Sequence, residues 1–348
     1  MEAIGPMNRV GIVGAGAWGT ALALLLCRAG RPVVLWAHGA ATAAALRAKG
    51  ESPYLPGVRL PLTDTGSGTG LSVTTDPEKV AQTCGAVLLV VPAQHLRAVV
   101  GGFAPFWRAG VPAVICAKGI ESHTNALMHE VVGDILPTAK VAVLSGPSFA
   151  AEIAAGLPAA LTLACAETGL GQGLVKMLGT ATFRLYLSDD VPGAEIGGAV
   201  KNVLAIGCGI VAGRALGDNA RAALMTRGLA EIIRLAVAVG ARAETVMGLC
   251  GLGDLILTAG SLHSRNFSLG VALGQGKSLA GVLANRHSVA EGVYSAAAVV
   301  GRARALAVEM PLCQAVHDIL NHGAPIDDVI RGLLTRPFRT EIGCLLPR

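Results

Sequence analysis

The feature that most constrains this 348-residue chain is the segment Val10-Gly-Ile-Val-Gly14-Ala-Gly16-Ala-Trp18-Gly19-Thr-Ala-Leu-Ala-Leu-Leu-Leu-Cys27. A short apolar strand (Arg9–Val13) breaks into three spaced glycines and then a helix (Thr20–Ala29), and a second strand (Pro32–Trp36) follows. In Gly14-x-Gly16-x-x-Gly19 the first glycine permits a tight turn and the second lets backbone approach a pyrophosphate. The third lets the helix pack closely on the strand. The helix then aims its N–H groups and the positive end of its dipole at the phosphates. A chain with 46 glycines can generate such spacing by chance, and it is the strand–turn–helix–strand context that turns the pattern into a dinucleotide-site expectation.

The same segment has a rival reading as an export signal or membrane anchor, because eighteen residues after Arg9 carry no charge. Four glycines in its first ten residues weigh against a spanning helix, each at roughly 0.8–1 kcal/mol per helical position. No small-x-small cleavage site follows Cys27. The longest other charge-free run is interrupted by Gln82, Pro92 and His95. No membrane span is therefore expected, and the location expected is cytoplasmic.

Length predicts two domains with ample core. A hydrophobic content of 52% with only 3% aromatic residues fits an α/β core of Val, Ile, Leu and Ala. The net charge of +5 is spread out, with no basic, aromatic-interleaved run of the kind nucleic acids need. The eight cysteines stand more than thirty residues apart with no Cys-x-x-Cys, and the eight histidines show no ligand spacing. No metal site is expected, and the cysteines read as small buried hydrophobes in a reducing compartment.

After a Gly/Ser/Thr/Pro-rich region (Pro53–Asp76, with a flexible loop over Thr63–Gly70), strands are expected at Ala86–Val91, Ala113–Ala117, Val141–Leu144, Leu161–Cys165 and Arg184–Leu187. Helical stretches lie between them. This alternation predicts a doubly wound parallel sheet, a Rossmann-type domain over 1–189. Ligands of such sheets bind beyond the strands' carboxyl ends, which directs attention to Pro92, Lys118-Gly119 and Ser145-Gly146-Pro147-Ser148. From Asp190 the pattern turns helical: Gly193–Ala212, Ala222–Val239, Asn266–Leu273, Val293–Leu306 and Leu312–Asn321. An all-helical domain is expected over 190–348, ending in a loose tail after Thr335.

Lys201 is the only charge between Glu195 and Arg214, and its helical neighbours Gly197, Gly198 and Ala205 are small. That combination suggests space for a ligand beside an ammonium whose pKa is lowered by desolvation and by nearby cations. A stem snorkelling over apolar surface, or a salt bridge, explains it equally well. Asp254 ends the glycine-rich turn Gly248-Leu-Cys-Gly-Leu-Gly253; it either orients a lysine or binds substrate hydroxyls, or it caps a helix. Ser264-Arg265-Asn266, at another helix start, offers a hydroxyl, a guanidinium and an amide to a phosphate.

In this order the chain carries Gly14-Ala-Gly-Ala-Trp-Gly-Thr-Ala, Trp36-Ala-His38, Ala117-Lys118-Gly119, Ser145-Gly-Pro-Ser-Phe-Ala150, Gly197-Gly-Ala-Val-Lys-Asn202, Thr226-Arg-Gly-Leu-Ala-Glu231, Met247–Thr258, Ser264-Arg-Asn266 and Glu291-Gly292. The ordered set, from about Val10 to Thr335, resembles the bacterial NAD(P)-dependent sn-glycerol-3-phosphate dehydrogenases. The resemblance implies reduction of dihydroxyacetone phosphate to sn-glycerol 3-phosphate, which supplies glycerophospholipid synthesis, and a homodimer. It implies that Lys201 is the general acid/base at the C2 oxygen, with Lys118 touching substrate and cofactor. Gly146, Ser148, Asp254 and Ser264 position the substrate, while Arg265 and Asn266 hold its phosphate, Arg265 also reaching the cofactor. Gly14, Gly16, Ala17, Trp18, Gly19, His38, Ala150, Val289 and Glu291 line the dinucleotide. Two departures stand out: the long Thr63–Gly70 loop, and Gly39 after His38 where relatives place arginine.

NAD-selective sites hold the ribose with an acid about twenty residues past the glycines. Here no acidic residue lies between Glu2 and Glu51, so NADP(H) is expected to be preferred and NAD(H) usable, with Arg47 or Lys49 as added charge. Two other readings compete. β-Hydroxyacid dehydrogenases also join a Rossmann domain to a catalytic lysine, but resemble a Lys-x-x-x-Asn spacing, whereas Lys201 and Asn202 are adjacent. A dinucleotide sensor without turnover has no use for Lys118, Lys201, Asp254 and Arg265 together.

Overall fold

The computed structural model describes residues 8–63, 70–284 and 290–337. Val289, the core of the Thr63–Gly70 loop and most of the tail after Thr335 lie outside the described residues.

The strands expected from their apolar runs are present: β1 (Val10–Val13), β2 (Val33–Trp36), β6 (Ala86–Leu89), β7 (Pro112–Ile115), β8 (Lys140–Ser145), β9 (Ala159–Ala164) and β10 (Phe183–Ser188). β1, β2, β6 and β7 are buried at every position, as continuous apolar strands covered on both faces must be. The eight-stranded sheet runs β10-β9-β8-β7-β6-β1-β2-β5, and its eighth member, β5 (Leu71–Thr74), lies inside the region read as irregular. A small antiparallel pair straddles the start of that region, β3 (Glu51–Ser52) just before it and β4 (Leu55–Arg59) within it. These strands are short and flanked by glycine and proline, so composition pointed to a loop.

The pairs β5–β2, β2–β1, β1–β6, β6–β7, β7–β8 and β9–β10 are all parallel. β1 pairs on one side with β2 (Val13 opposite Trp36) and on the other with β6 (Val13 opposite Leu89). The chain order therefore reverses at β1, the switch point where ligands of such sheets bind. The helix after the turn, α1 (Ala17–Arg28), is buried from Gly19 to Leu26. It is one of the core helices of the sheet unit, and its burial against β1 and β2 replaces the anchor reading.

The described chain forms two compact units. One gathers the chain up to Ala117 with Met128–Leu144 and Ser148–Asp189; the other comprises Lys118–Leu127, Ser145–Pro147 and everything from Asp190 on. Two short excursions, carrying Lys118 and Gly146, thus join the helical unit, which a single cut after 189 leaves out.

The helical unit is built on α8 (Val191–Gly213), whose side chains are buried from Val191 to Val211 except Pro192. Asp190 caps it by accepting from the Gly193 amide, and its other oxygen accepts from the Arg242 amide. Against α8 lies α12 (Arg265–Gly274), at a backbone distance that only glycines allow. A Cβ on Gly209 would stand 2.1 Å from the Phe267 carbonyl, and one on Gly270 would stand 2.1 Å from that of Ile206. Among the described residues α8 is the one helix long and apolar enough to cross a membrane, a candidate the sequence reading missed. Of its most apolar stretch, 89% is buried within the protein's own core.

Around α8 lie α9 (Asp218–Ala238), α10 (Ala243–Met247), α11 (Asp254–Ala259), α14 (Glu291–Ala305) and α15 (Pro311–His322). The buried Glu231 carboxylate accepts from the Leu312 and Cys313 amides and so caps α15, while burial pushes its pKa up. Two short helices, α10 and α13 (Leu279–Ala284), together with α16 (Ile326–Leu334), were not expected from the sequence, and α11 enters it only as the helix that Asp254 caps in one reading.

Candidate active site

In the sheet unit, the turn after β1 has the backbone that a pyrophosphate site requires. Gly14 has φ +121°, and a Cβ there would meet the Val90 carbonyl at 2.3 Å. A Cβ on Gly19 would lie 1.8 Å from the Gly14 carbonyl, so helix and turn touch at this residue. Gly16 is different: a Cβ on it meets nothing within 4 Å. It caps α1 with no side chain to accept from the helix's first amides. Close contact at two glycines and open space at the middle one form a cradle fitted to an anionic group. Ala17 and Trp18 are half-buried beside it.

His38 is exposed, with its ring edge-on to Trp36 at 5.6 Å. Ala37 is buried. Arg47, suggested as extra charge for the cofactor, instead donates twice to the Val73 carbonyl, tying α2 (Ala40–Lys49) to β5. Gly39 caps α2, and the nearest atom to a Cβ there is Thr42 Oγ1 at 3.8 Å. Ser148 and Ala150 are half-buried, Ala150 opening α6 (Ala150–Ala155).

In the helical unit, three charges the sequence holds far apart converge. Asp254 is almost wholly buried; its Oδ1 accepts from Lys201 Nζ at 2.7 Å and its Oδ2 from Lys118 Nζ at 2.7 Å. Lys118 Nζ also donates to the Gly146 carbonyl at 2.8 Å, and Lys201 Nζ to Thr258 Oγ1 at 2.8 Å. Each ammonium carries three donors, so these contacts leave one on each. Burial lowers the Lys201 pKa to about 8; Asp254 opposes that shift, while the Lys118 charge adds to it. The Asp254 carboxyl is pushed up by burial, but the two ammonium groups outweigh this and hold it below its ordinary value.

Local structure explains how Asp254 reaches this depth. Leu249–Gly253 is a π-helical turn, a form frequent at functional sites, and it leads directly into α11. Gly253, not Asp254, holds the capping position of α11, which leaves the carboxylate for the lysines. A Cβ on Gly251 would lie 1.9 Å from the Val246 carbonyl. The expected gap beside Lys201 does not exist at its two glycine neighbours. Beside Gly197 lies the Cys250 carbonyl, 2.7 Å from where a Cβ would be; beside Gly198 lie Ser145 Oγ at 2.8 Å and the Lys118 stem. The glycines admit protein, not ligand. Of the readings of Lys201, the salt bridge is the one the geometry displays: its ammonium pairs with Asp254 at 2.7 Å.

A chain of amides links the remaining pieces. Asn202 donates to the carbonyls of Lys118 (3.4 Å) and Gly198 (3.3 Å), and its oxygen accepts from Asn266 at 2.8 Å. Asn266 Oδ1 in turn accepts from the Gly292 amide at 3.0 Å. Asn266 thus spends one N–H and its oxygen on the protein. Ser264 caps α12 by accepting from the Phe267 amide, and Arg265 is exposed at the first position of that helix. Glu291 opens α14, and its charge favours the protonated form of Lys201. Thr258, which bonds Lys201, and Asn202, which bonds the Lys118 carbonyl, are not among the candidate site residues read from the sequence. Thr258 stands one helical turn after Asp254, and that spacing was the available signal.

A buried lysine–aspartate cluster and a capping Ser-Arg-Asn run, in a chain that also carries a glycine cradle on a parallel sheet, fit the class of dinucleotide-dependent oxidoreductases. The family model described as the NAD-dependent glycerol-3-phosphate dehydrogenase N-terminus matches residues 9–170, and that of the C-terminus matches 190–331. The chain is 55% identical over 338 residues to a glycerol-3-phosphate dehydrogenase [NAD(P)+] of Rhodospirillum rubrum (97% of this chain, 95% of that one). It is 53% identical over 333 residues to one of Maricaulis maris (95% and 98%). The crystal structure of glycerol-3-phosphate dehydrogenase from Coxiella burnetii superposes with a TM-score of 0.89 at 38% identity, over 95% of this chain and all of that one. The chain belongs to the NAD-dependent glycerol-3-phosphate dehydrogenase family, which supersedes the β-hydroxyacid dehydrogenase and sensor readings.

Proposed function

We propose that this chain reduces dihydroxyacetone phosphate to sn-glycerol 3-phosphate with NAD(P)H and so supplies glycerophospholipid synthesis. The observation that carries this is the buried Lys118–Asp254–Lys201 arrangement, with both ion pairs at 2.7 Å. When bound, the nicotinamide supplies the hydride for the carbonyl carbon. Lys201 donates a proton to the C2 oxygen as negative charge develops there; a pKa of about 8 keeps both protonation states populated near neutral pH. Asp254 orients both ammonium groups, and Lys118 stabilises the developing oxyanion electrostatically. Arg265, with the amide of Asn266 and the start of α12, receives the phosphate, and Ser264 fixes that helix end by capping it. Gly146 and Ser148 shape the substrate side; Gly14, Gly16, Ala17, Trp18, Gly19, His38, Ala150 and Glu291 line the dinucleotide.

NADP(H) is the preferred carrier in this reading, supported by an exposed His38 at the end of β2 and by the absence of acid from the first turn of α2. The enzyme is a cytoplasmic homodimer acting on small molecules, a reading that rests on the family resemblance. Oxidation of NADPH, followed spectrophotometrically, should depend on dihydroxyacetone phosphate and be very slow with unphosphorylated dihydroxyacetone, because phosphate binding orients the carbonyl. Equal kcat/KM for the two ketones would overturn the substrate assignment.

A further inference from the structure

Away from the acid–base pair, the last turns of α15 hold a group that the sequence reading dismissed when it found no ligand spacing among the histidines. His317, Asp318 and His322 each bring one ligand atom to within 4.8 Å of the others. The three stand at i, i+1 and i+5: Asp318 and His322, four apart, share one helix face, and His317 brings its ring to the same place.

We infer that His317, Asp318 and His322 form a binding site for one divalent transition-metal ion of the zinc type. Two imidazoles and a carboxylate are a donor set suited to zinc, with a fourth position left for water. The two rings already stand edge to face with centroids 5.0 Å apart. Three ligands about 2.0–2.2 Å from a tetrahedral ion must lie roughly 3.3–3.6 Å from one another, so closure requires only side-chain rotation. His322 is exposed in the last helical position and has the freedom for that; His317 and Asp318 are half-buried and provide the fixed side.

Three further observations favour a cation here. Nδ1 of His317 is buried and has no hydrogen-bond partner among the described residues, a state that is unfavourable unless something else satisfies it. Asp318 Oδ1 accepts from Gln314 Nε2 at 2.8 Å, the kind of outer hydrogen bond that orients a ligating carboxylate. The site also sits at the negative end of the α15 dipole, just before the left-handed Gly323 that closes the helix.

The test is titration of the purified full-length enzyme with Zn²⁺, read by calorimetry and by thermal unfolding, with Co²⁺ as a spectroscopic probe. One ion per chain should bind and raise Tm, and the Co²⁺ spectrum should show nitrogen and oxygen ligation without thiolate charge transfer. His322→Gln, at an exposed position with little risk to folding, and His317→Gln should each weaken binding by at least about tenfold. Dihydroxyacetone phosphate reduction by His322→Gln should match the wild type. No binding by wild type, thiolate ligation of Co²⁺, or unchanged affinity in His322→Gln would each overturn the assignment.

Discussion

The glycine turn of the sheet unit and the lysine–aspartate cluster of the helical unit are made by opposite means. The turn is backbone: its recognition groups are amides, and its side chains matter by being absent, at Gly14, Gly16 and Gly19. The cluster is side chain: Lys118, Lys201 and Asp254 come from three segments and are held by one another. A backbone site is local, so one short run of residues specifies it. A side-chain site of this kind is specified only by the packing that brings its segments together.

The largest effect should come from breaking the cluster alone. Lys201→Ala should lower kcat by about 10²–10⁴-fold, the usual contribution of a general acid. Cofactor affinity, measured by fluorescence titration, should stay near the wild-type value. Retention of more than about a tenth of kcat in a folded variant would remove Lys201 from the role. In the wild type, ketone reduction should fall as pH rises through about 8, because it needs protonated Lys201, and alcohol oxidation should rise through the same range.

Asp254→Asn should follow, with kcat/KM lowered by about 10²-fold as both ammonium groups lose their orientation. Truncating a buried ion pair also costs about 3–5 kcal/mol of stability, measurable by urea unfolding. The sign of the pH shift is fixed: Asp254 raises the Lys201 pKa, so its loss must move the limb for ketone reduction to lower pH. A limb that stays in place would show that Asp254 does not set this titration.

The contrast explains what could be read from the sequence. The parallel strands were legible because strands buried on both faces are continuous apolar runs, and α8, α9, α12, α14 and α15 because they are long. β5 was not, since its four residues lie in a Gly/Ser/Thr-rich stretch and are fixed by pairing to β2. Lys201 and Asp254 were visible as isolated charges in apolar company. That Thr258 and Asn202 also hold the lysines was hidden, because their partners lie 57 and 84 residues away. Gly197 and Gly198 were read as making space, yet packing fills it with the Cys250 carbonyl and Ser145. The sequence shows small residues; whether protein or ligand fills the space is a property of the fold.

The glycines give the next two tests, one in each region. Gly16→Ala places a Cβ where it meets nothing within 4 Å, so folding should be unchanged. Overpacking typically costs about 1–3 kcal/mol, so cofactor affinity should fall by about 5–150-fold. Gly197→Ala should do the reverse. Its Cβ would press on the Cys250 carbonyl and displace the π-turn that carries Asp254, lowering Tm and shifting the pH limb with little change in cofactor affinity. If both variants lose cofactor affinity equally, the two sites are not separable in the way their construction implies.

The smallest effect should appear at the edge of the backbone site, where it meets solvent. A carboxylate at the end of β2 should repel a ribose 2′-phosphate. Ala37 is the wrong place for it: that residue is buried, and an acid there would be desolvated without a partner. His38 is exposed, so His38→Asp adds the charge without disturbing the core. Like charges about 4 Å apart repel by up to about 4 kcal/mol at a surface-like dielectric. Exposure and salt reduce this to the scale of surface pairs, about 1 kcal/mol, or roughly fivefold. The variant should lower kcat/KM for NADPH about fivefold relative to NADH, and the gap should narrow as ionic strength rises. A wild type that strongly favours NADH, or a variant equally impaired with both carriers, would show that nothing at His38 reads the 2′ position.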